Sequence, residues 1–331
     1  MDFPALNRLD FKLDVVLQTT GYHSWNVGEG WSRAAEALGI LNRTFRPRAR
    51  WGEACRDDDG LHSYLGNTRS AAMLLLGFDW HSQALHDSPR WRERWNHAKT
   101  CKIMYAQESV HRSPEAMRNT RIVDAFHSAA ALCDFLIYTD CEDRGVVEKH
   151  GKPSMWLPFG VDTTTFRQVT PYHARKRRAY FRGKTRGWTA WNEYAARTRL
   201  LTRLVAENLV DMIEFQNNPI RPETLVDEFN QYQVAVNFPS VFSSHPTRVA
   251  EGMACGSLMI TNRTRIPAVD SLFEDRRHLV YYSDADELVA CVKNSVADEK
   301  RCAEIAAAGT EHVVREYSLA KQLEKILRSL T

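Results

Sequence analysis

Short apolar runs alternate with longer stretches of helical period along most of this chain. A run of about four to eight apolar residues bounded by turn formers reads as a buried strand. Apolar residues recurring every three to four positions read as a helix buried on one face. On that reading strands fall at 13–18 (LDVVLQ), 73–78, 101–107 (CKIMYAQ), 135–138 and 155–157, and again at 179–181, 212–216, 234–238, 257–261 and 278–282. Helices fall at 30–38, closed by Gly39, at 114–133, with Ile122, Ala125, Ala129 and Leu132 at helical spacing, and at 142–150, stopped by Gly151 and Pro153. Later helices are expected at 191–209, 222–232, 249–254, 284–295, 298–317 and 318–330, the last with Leu319, Leu323 and Leu327 on one face.

Such alternation predicts an α/β protein with parallel sheets covered on both faces. One strong composition break interrupts it, at 170–178 (TPYHARKRR), which is polar, basic and free of apolar period. The expectation is two doubly wound domains, 1–165 and 179–331, joined by a basic linker at 166–178, with the last helix a candidate to return to the first domain. Ligands of open parallel sheets bind at the carboxyl ends of the strands. Two facing domains would therefore place the site in a central cleft.

Composition narrows the class. The 331 residues include 9 Trp, 11 Tyr and 14 Phe, enough aromatic mass to exclude disorder as the main state. The longest apolar stretch, near 71–78, is far short of the ~18 residues of a membrane-spanning helix, and the first residues carry no signal-peptide core. Seven cysteines, an odd number with no Cys-x-x-Cys pair, read as reduced thiols in a cytoplasm and leave no zinc-ligand pattern. A formal charge of +3 is too small to argue for a nucleic-acid partner.

The segment 245–261, HPTRVAEGMACGSLMIT, carries the most specific chemistry. A helix start at Pro246, Thr247 and Arg248 offers free backbone N–H groups that suit a phosphate. One turn on, Glu251 is placed to accept both hydroxyls of a ribose diol. Gly256 then allows a tight turn into the following strand. Glu251-Gly252-Met253-Ala254-Cys255-Gly256 resembles the nucleotide-sugar signature of the GT-B glycosyltransferases, specifically the group-1 and spore-maturation-protein-like families, which carry a Glu-Ala-x-Ala-Cys-Gly core. Other stretches resemble the same superfamily in order: Pro158-Phe159-Gly160-Val161-Asp162 before the interdomain linker, Tyr180-Phe181-Arg182-Gly183-Lys184 as first strand and basic turn of the donor domain, and Asp286-Glu287-Leu288 with 305–309 as its C-terminal helices. The likeness covers about 158–330.

That resemblance implies two Rossmann-like domains and transfer of a sugar from a nucleoside diphosphate sugar to an acceptor hydroxyl, with retention and without a metal or other cofactor. It implies a donor set of Glu251, Arg248, Thr247, Ser243 and Gly183. Lys184 and Arg186 would be the cations that stabilise the leaving diphosphate, while Arg175 to Arg178 read as a solvated linker. The family's second Glu, eight residues before Glu251, is Ser243 here, so half of the paired-carboxylate motif is missing.

In the first half, Glu108 follows a strand and could orient an acceptor hydroxyl or act as a base, with His111 three residues on. The loop 21–30 is rich in Gly and aromatic residues and puts Gly28, Gly30 and His23 on the acceptor side. It is not a dinucleotide fingerprint, because Arg33 takes the third glycine position. Trp91 and Trp95, four apart, read as the buried face of a helix rather than a stacking platform. Asp57-Asp58-Asp59 is the one acidic triplet that could hold a metal, and it falls in a polar loop. Two other readings stay open: a non-catalytic sugar-nucleotide binding module, and a nucleic-acid-binding protein using the Arg-rich stretches. They meet the enzyme reading in a transferase that glycosylates a hydroxylated DNA base, which salt-dependent DNA binding would mark.

Overall fold

A computed structural model describes residues 11–17, 28–45, 70–76, 89–106, 120–183, 192–214, 220–240 and 243–330. The chain forms two compact units, Met1–Pro158 with Leu319–Thr331, and Phe159–Ser318. In order, the first unit carries β1 (Leu13–Val16), α1 (Glu29–Ala37), β2 (Leu41–Phe45), β3 (Ala72–Leu76), α2 (Pro89–His97), β4 (Cys101–Ala106), α3 (Thr120–Ala131), β5 (Phe135–Tyr138), α4 (Arg144–Glu148) and β6 (Ser154–Trp156). The second carries β7 (Lys176–Gly183), α5 (Asn192–Ala206), β8 (Val210–Glu214), α6 (Pro222–Gln231), β9 (Tyr232–Val236), α7 (Thr247–Ala254), β10 (Leu258–Asn262), α8 (Pro267–Asp270), β11 (Val280–Tyr282), α9 (Ala285–Ala297) and α10 (Glu299–Tyr317). A last helix, α11 (Leu319–Leu330), belongs to the first unit.

The first sheet has the order β2-β1-β3-β4-β5-β6 and every pairing is parallel. Successive side chains of a strand point to opposite faces, and the two cores follow that alternation. Leu13, Val15, Leu74, Ile103, Tyr105 and Ile137 face Trp31 of α1 and Leu319, Leu323 and Ile326 of α11. Val16, Met73, Leu75, Met104 and Leu136 face Trp95 of α2 and Phe126 and Ala129 of α3. Trp95 is buried, as its spacing predicts, and its indole donates to Leu132 O at 2.9 Å.

Because α11 closes one face of this sheet, its apolar stripe stabilises residues some 300 positions earlier in the chain. Leu323→Ala should cost about 2–4 kcal/mol. Amide hydrogen exchange checks it: exchange should quicken in α1 and β1 and stay unchanged in β9 and β10.

The second sheet runs β11-β10-β9-β7-β8, again parallel throughout. The chain steps from β7 outward to β8 and then crosses to β9 on the other side of β7. The strand order therefore reverses between β7 and β9, which makes their carboxyl ends the topological switch point where such sheets take ligands. Phe181, Val234, Val236, Leu258 and Ile260 build the core under Leu201 and Leu204 of α5 and Leu288 and Val292 of α9.

The division between units differs from the one the composition predicts. It falls after Pro158, and the stretch 166–178 belongs to the second unit, where Phe166, Tyr172 and Arg175 are buried. The basic run is the start of an eight-residue strand, β7, whose first residues are exposed and whose last are buried. Two elements have no counterpart in the apolar pattern. β2 (LNRTF) is a half-exposed edge strand with few apolar residues, and α8 is a single turn.

Candidate functional site

The switch point of the second sheet brings together α7, the end of β7 and the residues after β9. The signature around α7 has a physical reason at each glycine. A Cβ on Gly252 would lie 2.4 Å from Met259 Sδ and 3.1 Å from the Phe229 ring, so the residue lets α7 lie flat against β10. Gly256 sits at φ 78°, the left-handed region that favours glycine. There Ser257 N donates to Gly252 O and Gly256 N to Met253 O, which closes the helix in a Schellman turn. Ser257 leads directly into β10.

Glu251 lies on the first turns of α7 and is buried, 3% exposed. Burial pushes its carboxyl up to about 7, while Arg248 and a hydrogen bond from the Thr247 side chain pull it down. Burial outweighs the cation and the hydroxyl that favour the ionised carboxylate, and further donors from a ligand would favour it more. A pair of ligand hydroxyls would supply donors.

Arg248 donates from Nη1 to Arg182 O at 3.1 Å, and its guanidinium stands 5.4 Å from the Phe181 ring centroid. Gly183 makes room for it: a Cβ there would come within 3.0 Å of Arg248 Nη1 and 2.5 Å of the Phe181 ring. Gly183 thus earns its place through close approach rather than through a turn. Arg182 itself is spoken for, because its guanidinium grips Glu228, which also accepts from the Tyr180 phenol.

Ser243 is buried beside Ser244 and His245 just before α7. His245 pairs with the Tyr281 phenol at 3.0 Å, and burial lowers it to about 4, so it is a neutral imidazole at physiological pH. Glu251, Arg248, Thr247, Ser243 and Gly183 are therefore all on the carboxyl side of one sheet. In the first unit, Gly28 caps α1 where a Cβ would meet Leu17 Cδ2 at 2.9 Å, and Gly30 is buried within α1. Glu108, His111, His23, Lys184, Arg186 and the Asp57–Asp59 triplet lie outside the described residues.

Arg175 departs from the expected solvated linker. It is 5% exposed and its guanidinium donates to Thr170 O and Cys255 O, both at 2.7 Å, and to Asn230 Oδ1 at 3.1 Å. Arg197 of α5 is a second buried cation that the sequence reading passes over. The signal was present: Arg197 falls at i, i+4, i+7 with Leu201 and Leu204, on the apolar face of its helix.

No cluster of three or more metal-ligating side chains occurs among the described residues. None of their helices is long and apolar enough to cross a membrane.

Residues 172–328 match the profile of the "Glycosyl transferase-like" family. No curated protein sequence is significantly similar to the chain. Among solved structures, sucrose-phosphate synthase from Thermosynechococcus elongatus aligns with a TM-score of 0.61 at 13% identity, over 96% of this chain and 99% of that one. Anabaena HepE in complex with UDP-glucose aligns with 0.57 at 12% identity, over 96% and 99%. An α-glucosyltransferase in complex with UDP and a 13-mer DNA containing an HMU base aligns with 0.66 at 8% identity, over 97% and 99%. The fold is GT-B, with two Rossmann-like α/β domains. The chain thus has the GT-B fold, and its second half carries a glycosyl transferase-like domain over residues 172–328.

Proposed function

We propose that the protein is a glycosyltransferase that takes its sugar from a nucleoside diphosphate sugar and passes it to an acceptor hydroxyl, with retention at the anomeric carbon and without a metal, in the cytoplasm. The observation that carries the donor reading is Glu251, a buried carboxylate one turn into α7 beside Arg248 and Thr247. The carboxylate would accept the two ribose hydroxyls. The first N–H groups of α7 and the Arg248 guanidinium would face the diphosphate. Structures similar in fold hold UDP or UDP-glucose.

In the transfer, the bond from the anomeric carbon to the diphosphate oxygen breaks as the acceptor oxygen bonds to that carbon. The acceptor proton goes to the leaving phosphate oxygen, so no protein base is required, and Glu108 orients a hydroxyl. Lys184 and Arg186 hold the charge that grows on the leaving group. Retention rests on the likeness of the α7 signature to the retaining families.

A panel of nucleotide sugars tested by thermal shift is the direct check. A ligand at a hundredfold its Kd stabilises the fold by about 2.7 kcal/mol, and a flat panel would overturn the donor assignment. With the best donor in hand, turnover should persist in EDTA, and Lys184→Ala and Arg186→Ala should lower kcat more than donor affinity. Activity lost in EDTA and restored by magnesium or manganese would contradict the metal-free mechanism. Product stereochemistry by NMR decides retention.

A hydroxylated DNA base is a second reading of the acceptor, favoured by the TM-score of 0.66 to the α-glucosyltransferase crystallised with such DNA. Binding of a hydroxymethylated duplex with a steep salt dependence, and transfer to it but not to the unmodified duplex, would establish that acceptor.

A further inference from the structure

Arg197 presents a problem of charge. It projects from α5, is 4% exposed, and has no carboxylate within ion-pair distance among the described residues. One nitrogen, Nη2, donates to Pro239 O at 2.9 Å, and the guanidinium stands 4.3 Å from the Tyr194 ring centroid. Its Nε is buried with no hydrogen-bond partner. A buried guanidinium with the Pro239 carbonyl and the Tyr194 side chain for partners, and no carboxylate among the described residues, is costly, since buried charges are ordinarily paired.

Its position gives the cost a reason. Pro239 follows β9 by three residues, and Arg182, whose carbonyl holds Arg248, is the penultimate residue of β7. These strands are hydrogen-bonded neighbours and flank the switch point. Phe181 and Phe238, 4.8 Å apart edge to face, form the floor from the two strand ends. Two arginines are thus tied to adjacent strand ends at the point where a ligand enters. Burial lowers the Arg197 guanidinium to about 10, and repulsion from Arg248 adds to that lowering.

We infer that Arg197 is a positioning residue for the donor's diphosphate, a fixed buried positive charge that holds Arg248 toward the carboxyl edge of β7 and adds its field to the anion seat. The inference rests on the donor reading of this site. Without an anion, two cations share a poorly solvated corner. A diphosphate turns that repulsion into attraction to both, and the low polarity of the corner strengthens the gain. Arg197 needs no contact with the ligand to do this.

The test compares wild type with Arg197→Met and Arg197→Lys, using UDP, UMP and uridine as probes in calorimetric titration, with thermal unfolding of each ligand-free protein. GDP and ADP with their mononucleotides and nucleosides serve in the same way if the wild type prefers another base. Arg197→Met removes the charge and keeps much of the aliphatic stem. We expect it to weaken diphosphate binding roughly ten- to a hundredfold, weaken the monophosphate less, and leave nucleoside binding unchanged. Arg197→Lys should recover much of the loss. The ligand-free Tm of Arg197→Met should hold or rise, because an unpaired buried charge is gone. A fall in Tm with diphosphate and nucleoside affinities kept, or lost in equal proportion, would make Arg197 a purely structural residue and overturn the inference. Failure of the donor reading looks different: no nucleoside diphosphate would bind the wild type.

Discussion

Glu251→Ala should weaken binding of the nucleotide-sugar donor by about 2–4 kcal/mol, a loss of roughly 30- to 1000-fold by calorimetric titration. The size follows from burial. Water does not replace the ligand's hydroxyls at a site 3% exposed, so removing the carboxylate leaves the diol's donors without acceptors. Wild-type affinity in the variant would sink the ribose assignment. The same side chain makes the ligand-free protein sensitive to pH, and the sign is set by its raised titration point of about 7. Below the ordinary carboxylate range, near pH 4, the group is neutral in both folded and unfolded chains and its favourable contribution is fully present. As pH rises through about 7 the buried group must ionise, and that contribution is lost. Between pH 4 and 8 the wild type should therefore lose on the order of 3 kcal/mol relative to Glu251→Gln. Urea unfolding at each pH reads it, and parallel profiles for the two proteins would contradict a buried, destabilised carboxylate. Donor binding should run the other way, improving as Glu251 ionises.

Arg175→Met should cost about 3–5 kcal/mol of stability in the second unit, the loss of a few hydrogen bonds from a charged donor to buried acceptors. The guanidinium meets Phe229 O in the last turn of α6 and Cys255 O at the end of α7, so it sits at the negative ends of two helices. It also shares Asn230 with the incoming chain, since Asn230 Oδ1 accepts from Val169 N and Thr170 N as well as from Arg175. Removing it leaves several buried carbonyls without donors at once. Arg175→Lys should recover little, because a single ammonium cannot span acceptors that the planar fork reaches together. The urea midpoint of the second unit measures both variants. A change within about 0.5 kcal/mol, the ordinary range for a surface site, would return Arg175 to the solvated linker its neighbours suggest.

The two arginines show where the sequence stops being legible. Strands such as 101–106 and 135–138 are buried on both faces, so composition alone marks them. β2 is missed because an edge strand exposes polar side chains along its length. Glu251 is legible because a glycine-punctuated helix and strand surround it, and each glycine answers to a close approach or a left-handed turn. Arg175 is hidden in a run of four cations of which it alone is buried. Arg197 is hidden among Arg199 and Arg203 on the same helix, and only its register with Leu201 and Leu204 sets it apart. A basic run reports charge, and what that charge is for depends on which side chain the fold turns inward.

The excursion of the chain through the second unit has a genetic consequence. Val161 N donates to Tyr317 O at 2.9 Å, and Val161 bridges to Ser318, so residues 159–318 begin and end side by side. Such a segment is a cassette: its ends lie close enough to be joined by a short peptide, and it could be moved or permuted as a piece. The lesion map is then inverted from what position in the gene would suggest. A stop codon just after residue 318 spares Glu251, Arg248 and the whole second sheet, yet it strips Leu319, Leu323 and Ile326 from the face of β1, β3 and β4 and damages the half of the protein translated first.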